Sequence, residues 1–304
     1  APVGGWNARD SLASMDPADA ITLDNMIPST DKVDGRRGYA AHAQPTGVTL
    51  DIDTLATWAG PSSSVMWAFA IVSGDKKAFD CTAAGTPAAN AAFTALAHTD
   101  EMFTNTAGTY LYLCDALGEN APCHYNGTTW AAPTISGVTA ANLVHVSQHR
   151  YRLFFCEKNT LNLWYLDRDA IQGTAKRLKL GAYATEGGYL MATGTWTVDA
   201  GSGVDDMFVA VTSMGQVLVF QGNDPSSASA WRLAGVYKTA PPIGRKCLLK
   251  NGSSLFIITV DGVVAVESLF NQSLAQPAVP ITDKVRSAFW QASGDWNAEP
   301  GWQA

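Results

Sequence analysis

Two histidines four residues apart, His145 and His149, have a spacing that some zinc ligands use. Their run, Val144-His145-Val146-Ser147-Gln148-His149, reads as a strand. On a strand, positions four apart share a face but lie about 13 Å apart at Cα, too far for easy co-ligation. A structural role for both rings is the simpler reading. Three carboxylates, Asp199, Asp205 and Asp206, fall in a glycine-rich loop, where they could bind a cation or form an acid/base pair. Ordinary solvated loop carboxylates weigh more.

The remaining chemistry-bearing residues are sparser. Lys76-Lys77, Arg36-Arg37 and the group Lys176, Arg177, Lys179 are the basic clusters. Each could meet a phosphate or an acidic neighbour, against the plainer reading of solvated surface. Cys81, Cys114, Cys123, Cys156 and Cys247 are odd in number and scattered, with no Cys-x-x-Cys pair, so neither a disulfide framework nor a zinc site is indicated. Cys114 and Cys123 flank a loop and could meet across a hairpin; free thiols are the better reading. Asn126-Gly127-Thr128, Asn251-Gly252-Ser253 and Asn271-Gln272-Ser273 match a glycosylation sequon that matters only on secretion. Ser293-Gly294-Asp295-Trp296 is similar to the Asp-box turn of sialidase propellers, as a single unrepeated fragment. No P-loop, nucleophile elbow, Rossmann fingerprint or metalloprotease helix occurs. No catalytic residue, cofactor or metal ligand is therefore expected.

Composition narrows the classes. The 304 residues are 47% hydrophobic and only 15% charged, where soluble domains average about 25% charged. That suits a large core, or apolar surface reserved for partner subunits. A net charge of −7 argues against a sequence-independent DNA binder, which needs a basic face. No apolar run approaches the roughly 20 residues of a membrane span. No signal peptide is expected from the opening Ala-Pro-Val-Gly-Gly-Trp.

The elements that must carry these residues are strands. In Phe103–Trp130, Thr109–Leu113 is a β-branched and aromatic run, and Asp115–Asn120 holds turn formers. Cys123–Tyr125 is a second strand, Asn126-Gly127 a tight turn, and Thr128–Trp130 a third strand. This is an antiparallel meander. Similar apolar strands are centred near Phe69, Leu111, Leu153, Val209 and Ile257, at steps of 42, 42, 56 and 48 residues. The long step contains a glycine-rich piece, Asp167 to about Gly203, with Tyr189–Thr193 and Thr195–Val198 as two further strands. A period of about 40–50 residues with about four strands per unit is the signature of a β-propeller. The expected fold is all-β: a propeller of about five recognisable blades with an extended N-terminal arm. A sandwich or barrel of short strands is the alternative.

The expected division is 1–49 for the arm, 50–268 for the blades and 269–304 for a helix-containing segment whose sequence ends without a stop signal. In the arm, Asp16 is positioned to cap a short helix from Pro17 to about Leu23. Near the C-terminus, Ile281–Gln291 can form an amphipathic helix capped by Thr282, with Ile281, Val285, Ala288 and Phe289 on one face. Residues 81–90 read as a loop.

Four stretches of the arm resemble the N-terminal arm of tail hub, or nozzle, proteins of short-tailed bacteriophages. They are Gly5–Asp10, Met15–Ala20, Leu23–Pro28 and Arg37–Tyr39. Leu161–Gly173, Gly194–Asp206 and Val219–Trp231 also look like this group. The resemblance implies a hexameric ring of β-propellers in the virion tail, assembled in the host bacterial cytoplasm. It implies adaptor and portal-side virion proteins and other tail proteins as partners. Double-stranded DNA would pass through the lumen, with no membrane insertion and no catalytic residues. The chain is shorter than expected for that family. An acidic, weakly charged ring is consistent with this role, since many Lys/Arg contacts would hold DNA through counterion release. Interface residues are expected at Trp6, Arg9, Asp10, Arg36, Arg37 and Tyr39. The last three offer two cations and an aromatic to a carboxylate-rich neighbour. The competing functions are a propeller glycan hydrolase or lectin, and a receptor-binding tail protein.

Overall fold

The computed structural model describes residues 1–45, 47, 52–197, 206–270 and 278–295. The apolar repeat becomes a set of antiparallel sheets. Blade 1 is Thr54–Ala59, Ser64–Val72, Asp75–Asp80 and Ala89–Ala92. Blade 2 is His98–Asn105, Gly108–Asp115, Cys123–Tyr125 and Trp130–Ala131. Blade 3 is Leu143–His149, Arg152–Glu157, Asn162–Tyr165 and Lys176–Lys179. Blade 4 is Leu190–Trp196, Met207–Thr212, Gln216–Gly222 and Trp231–Lys238. Blade 5 has three strands among the described residues, Leu248–Asn251, Ser254–Thr259 and Gly262–Ala265.

Each sheet pairs its strands in chain order, and the first strand of each blade packs against the first strand of the next. Those first strands therefore surround a common axis, and the protein is a five-bladed β-propeller with an extended N-terminal arm. The five apolar centres read from the sequence are the second strands, where both faces of the sheet are covered. Blade 5 meets blade 1 through Lys246, whose Nζ donates to Thr54 Oγ1 at 3.2 Å across 192 positions.

Apolar side chains between adjacent blades form the core. Between blades 1 and 2, Trp67 meets Tyr125 at 5.1 Å and Trp130 at 5.2 Å, edge to face. Between blades 3 and 4, Phe154 sits 4.7 Å from Phe208 and lies nearly parallel to Trp231 at 6.0 Å. Each such pair adds about 0.5–1.5 kcal/mol beyond its burial. Valines and isoleucines fill the joint between blades 4 and 5.

The meander of blade 2 forms as its turn chemistry dictates. Asn126 Oδ1 accepts the N–H groups of Thr128 and Thr129 at 2.9 and 2.8 Å, and Gly127 takes φ +94°. A Cβ on Gly127 would stand 2.5 Å from the Trp58 ring, so both φ and space require glycine.

Several local expectations change. No helix forms over 17–23. Asp16 Oδ1 accepts the N–H of Ala18 at 2.8 Å in a tight side-chain turn, and Asp19–Ala20 pairs in parallel with Gly5–Trp6. Tyr189–Thr193 and Thr195–Val198 are not two strands: Leu190–Trp196 is one, with a register shift between Leu190 and Ala192. Residues 81–90 run into Ala89–Ala92, the outer strand of blade 1. The C-terminal helix starts later, at Arg286, after a 3-10 turn over Asp283–Val285. Thr282 does not cap it; its Oγ1 accepts the N–H of Val263 at 3.0 Å on the edge of blade 5.

Cys114 and Cys123 do not meet. Leu113 is directly opposite Cys123, so the two share a face and Cys114 points to the other. Cys123 packs between blades 1 and 2, and Cys114 between blades 2 and 3. All five cysteines are free thiols.

Candidate functional site

The structure assembles polar side chains in two places, at the root of the arm and at one mouth of the propeller axis.

At the arm, Asn7 is the organising residue, with only 1% of its surface exposed. Its Oδ1 accepts the N–H groups of Arg9 and Asp10, both at 3.0 Å. Its Nδ2 donates to Asp10 Oδ2 at 2.9 Å and to Asp19 Oδ2 at 2.8 Å. The side chain is therefore saturated. Arg9 forms a forked pair with Asp10, Nε to Oδ1 at 2.8 Å and Nη2 to Oδ2 at 3.0 Å, and a further pair with Asp283. The Arg9 guanidinium, then Asn7, hold the Asp10 carboxyl down at about 2. Lys284 bonds Asp19 at 2.7 Å and holds its carboxyl below the usual range. Two bonds at the Ala8 backbone complete the joint: Ala8 N–H donates to Lys284 O at 2.8 Å, and the Ser287 hydroxyl donates to Ala8 O at 3.1 Å.

The expected interface residues divide. Trp6, Arg9 and Asp10 sit in this joint, with Trp6 Nε1 donating to Ile21 O at 3.1 Å. Within the chain, the arm root lies on the C-terminal segment of the same molecule. Arg36, Arg37 and Tyr39 are exposed, Tyr39 at 93%, and their side chains make no hydrogen bond or ion pair among the described residues. Sequence reading missed Asn7, Asp19, Asp283 and Lys284. Asn7 and Asp19 lie inside the quoted arm stretches, but their pairing joins positions that only the fold brings together.

At the axis, a cavity of about 570 Å³ opens at the ends of the first strands. Its wall draws Glu101 from blade 2, Gln148 and His149 from blade 3, Thr195 from blade 4 and Lys250 from blade 5. Arg150, Tyr151, Thr197, Asp206, Gly252 and Ser253 complete the rim. Protein surrounds the half-buried Glu101 carboxyl, and that desolvation pushes it up to about 8. The Gln148 backbone and the Lys250 ammonium oppose the shift.

His145 and His149 are both buried on the first strand of blade 3. His149 Nε2 lies 3.2 Å from Gly222 O, and its Nδ1 lies 3.0 Å from Thr195 Oγ1. Burial pushes His149 down to about 4, and burial with Arg245 pushes His145 down to about 3. Among the described residues no cluster of three His, Cys, Asp or Glu could hold a metal ion. Asp206 reaches the cavity, with Arg150 Nε 3.9 Å from its Oδ2. Asp199, Asp205 and the sequon at Asn271 lie outside the described residues, as does Trp296.

The basic clusters are mostly engaged. Lys76 Nζ donates to Thr94 O at 2.8 Å, and Lys77 is 3.4 Å from Asp75. Lys176 pairs with Asp167 at 2.6 Å, and Arg177 lies 5.7 Å over the Trp164 ring. No helix among the described residues is long and apolar enough to cross a membrane.

No family model and no curated protein matches the sequence. Solved structures of similar shape include three that illustrate the match. They are BBS1N in complex with ARL6DN (TM-score 0.41, 13% identity, 70% of this chain and 61% of that one); a candidate 6-phosphogluconolactonase from Bacteroides uniformis (0.39, 14%, 70% and 64%); and apo AztD from Citrobacter koseri (0.38, 7%, 69% and 55%). The matches span less than two thirds of each of those chains. At these values nothing about ligand, partner or activity carries across.

Proposed function

We propose that this protein is a structural virion component, a tail hub or nozzle subunit of a short-tailed bacteriophage, acting as one member of a hexameric ring. The ring would sit below the portal and adaptor, line the DNA exit channel and help retain packaged DNA. The reading rests on the sequence resemblance of the arm.

One structural observation supports it most. The arm is a built element, fastened at its root by the Arg9–Asp283 and Lys284–Asp19 pairs, yet it leaves large apolar side chains uncovered. Leu12 is 77% exposed, and Ile21, Met26, Ile27 and Tyr39 are also exposed. A second exposed apolar group, Val279, Ile281 and Trp290, lies on the C-terminal segment that carries the arm. Isolated exposed apolar residues are ordinary, but a concentration on one short segment is the mark of a contact surface. Two different surfaces on one chain suit the head-to-tail contacts that close a ring. The low overall charge fits a lumen through which DNA slides.

The test is assembly. Purified protein, alone or with portal and adaptor rings, should form six-fold particles by electron microscopy. A monomer that cleaves or binds glycans and never enters particles would favour the hydrolase or lectin.

A further inference from the structure

The turn between the first two strands of blade 3 has two residues, Arg150 and Tyr151, and both have positive φ, 50° and 61°. Asn and Gly normally supply this backbone, because a Cβ is strained there. Strain of this kind persists only where the surroundings impose it, and it clusters at ligand sites.

What the turn achieves is the placement of Arg150 on the wall of the axial cavity. Among the described residues, the buried Arg150 Nε has no hydrogen-bond partner. The Asp206 Oδ2 atom, at 3.9 Å, makes an ion pair but is beyond hydrogen-bond reach, and among the described residues Asp206 Oδ1 has no hydrogen-bond partner. Lys250 lines the same cavity from blade 5. Its ammonium makes no ion pair or hydrogen bond among the described residues. The next turn adds Gly252 and Ser253 to the wall. The second carboxyl of the wall, Glu101, is pushed up to about 8, so at neutral pH it is mostly uncharged and able to donate. Arg150 and Lys250 therefore stand with Asp206 around a partly enclosed space, where screening is weaker than on open surface.

We propose that the axial cavity binds a small organic molecule through an oxyanion, a phosphate or a carboxylate, held between Arg150 and Lys250. At about 570 Å³ the cavity is far larger than a free inorganic ion and falls in the usual range of small-molecule pockets. The oxyanion is thus one end of the ligand, and Gln148, Thr197 and Ser253 are the wall groups left to meet polar atoms on the rest of it. A planar guanidinium and a point-charge ammonium together form the donor set that phosphate and carboxylate sites use. This site concerns the propeller axis and does not depend on ring assembly.

Calorimetric titration of inorganic phosphate, and separately of malonate, into the full chain tests the site against potassium chloride of equal ionic strength. One saturable site is expected, with the tighter of the two anions identifying the phosphate or the carboxylate as the natural group. Lys250→Gln should weaken that binding about tenfold or more. Arg150→Gly should do the same while keeping or raising the thermal midpoint, because glycine relieves the positive φ. Lys179→Gln, on the outer strand of blade 3, should leave binding unchanged. Absence of saturable binding beyond the chloride control, or binding that survives both cavity variants, would overturn the proposal.

Discussion

Lys284 Nζ lies 2.7 Å from Asp19 Oδ1, although 265 positions separate the two residues. This pair, with Arg9 and Asp283, fastens the arm to the segment that follows the last blade. Asn7 braces the arm side of the same joint by bonding both Asp10 and Asp19. Removing Asn7 strands acceptors that water must re-enter to satisfy. Asn7→Ala should therefore cost about 2 kcal/mol in local opening of the arm root, or about a 30-fold rise in amide exchange there. Hydrogen–deuterium exchange should show the rise around Gly5–Ala20 and Asp283–Ser287, with blades 2 to 4 unchanged. Lys284→Ala should produce the same pattern. An exchange map identical to the unmodified protein would show that the arm root does not depend on these bonds.

A blade joint should respond differently. Phe154 is fully buried between blades 3 and 4, against Phe208 and Trp231. Phe154→Ala leaves a cavity that two sheets cannot both move to fill, so global stability should fall by about 3–5 kcal/mol. Denaturant unfolding measures this. A loss under about 1 kcal/mol would mean that the joint repacks freely.

These two outcomes reflect how much of the molecule was legible in its sequence. The second strands around Phe69, Leu111, Leu153, Val209 and Ile257 stand out because both faces are buried and nearly every residue is apolar. The outer strands do not. Ala89–Ala92 is made of small residues on a sheet edge, and Lys176–Lys179 is nearly all charged, so neither carries a core-facing pattern. The stretch Asp16–Leu23 misleads for a physical reason: Asp-Pro can begin a helix or a side-chain turn, and a short helix needs a packing partner that the arm lacks. The axial cavity was invisible because its wall gathers ordinary residues from four separate blades. Arg150 and Tyr151 gave no warning either, since neither residue type advertises a left-handed turn.

Acid should unfold the protein early. In an unfolded chain histidine takes a proton below about 6.5. Burial holds His98 and His149 at about 4 and His145 at about 3 in the native state. Between these limits the unfolded chain binds more protons, so stability falls as the pH is lowered from about 6.5 towards 4. Glu101, raised to about 8, holds one proton in the native state over the same range, so about two protons remain net and the slope approaches about 3 kcal/mol per pH unit. Among the described residues the His98 ring nitrogens have no well-formed hydrogen bond, and the ring packs 4.6 Å from Phe69. His98→Leu should therefore lower the slope by about one proton while sparing stability at pH 7. Stability measured from pH 8 to 4 that stays flat would refute the assignment.

Arg36 and Arg37 are free of intramolecular partners among the described residues and flank the exposed Tyr39. If they contact a carboxylate-rich neighbour, reversing both charges with Arg36→Glu and Arg37→Glu should impair incorporation into particles. The fold should be unaffected, with the circular dichroism spectrum and thermal midpoint preserved. Normal incorporation of the double variant would remove these residues from the interface.

The central claim is tested most directly by the symmetry and mass of the assembled species. Electron microscopy and native mass measurement of the full chain, alone and with portal and adaptor rings, should give six copies in a ring with an open lumen. A species that stays monomeric at every concentration and joins no particle, or one that forms a compact trimer, would contradict it.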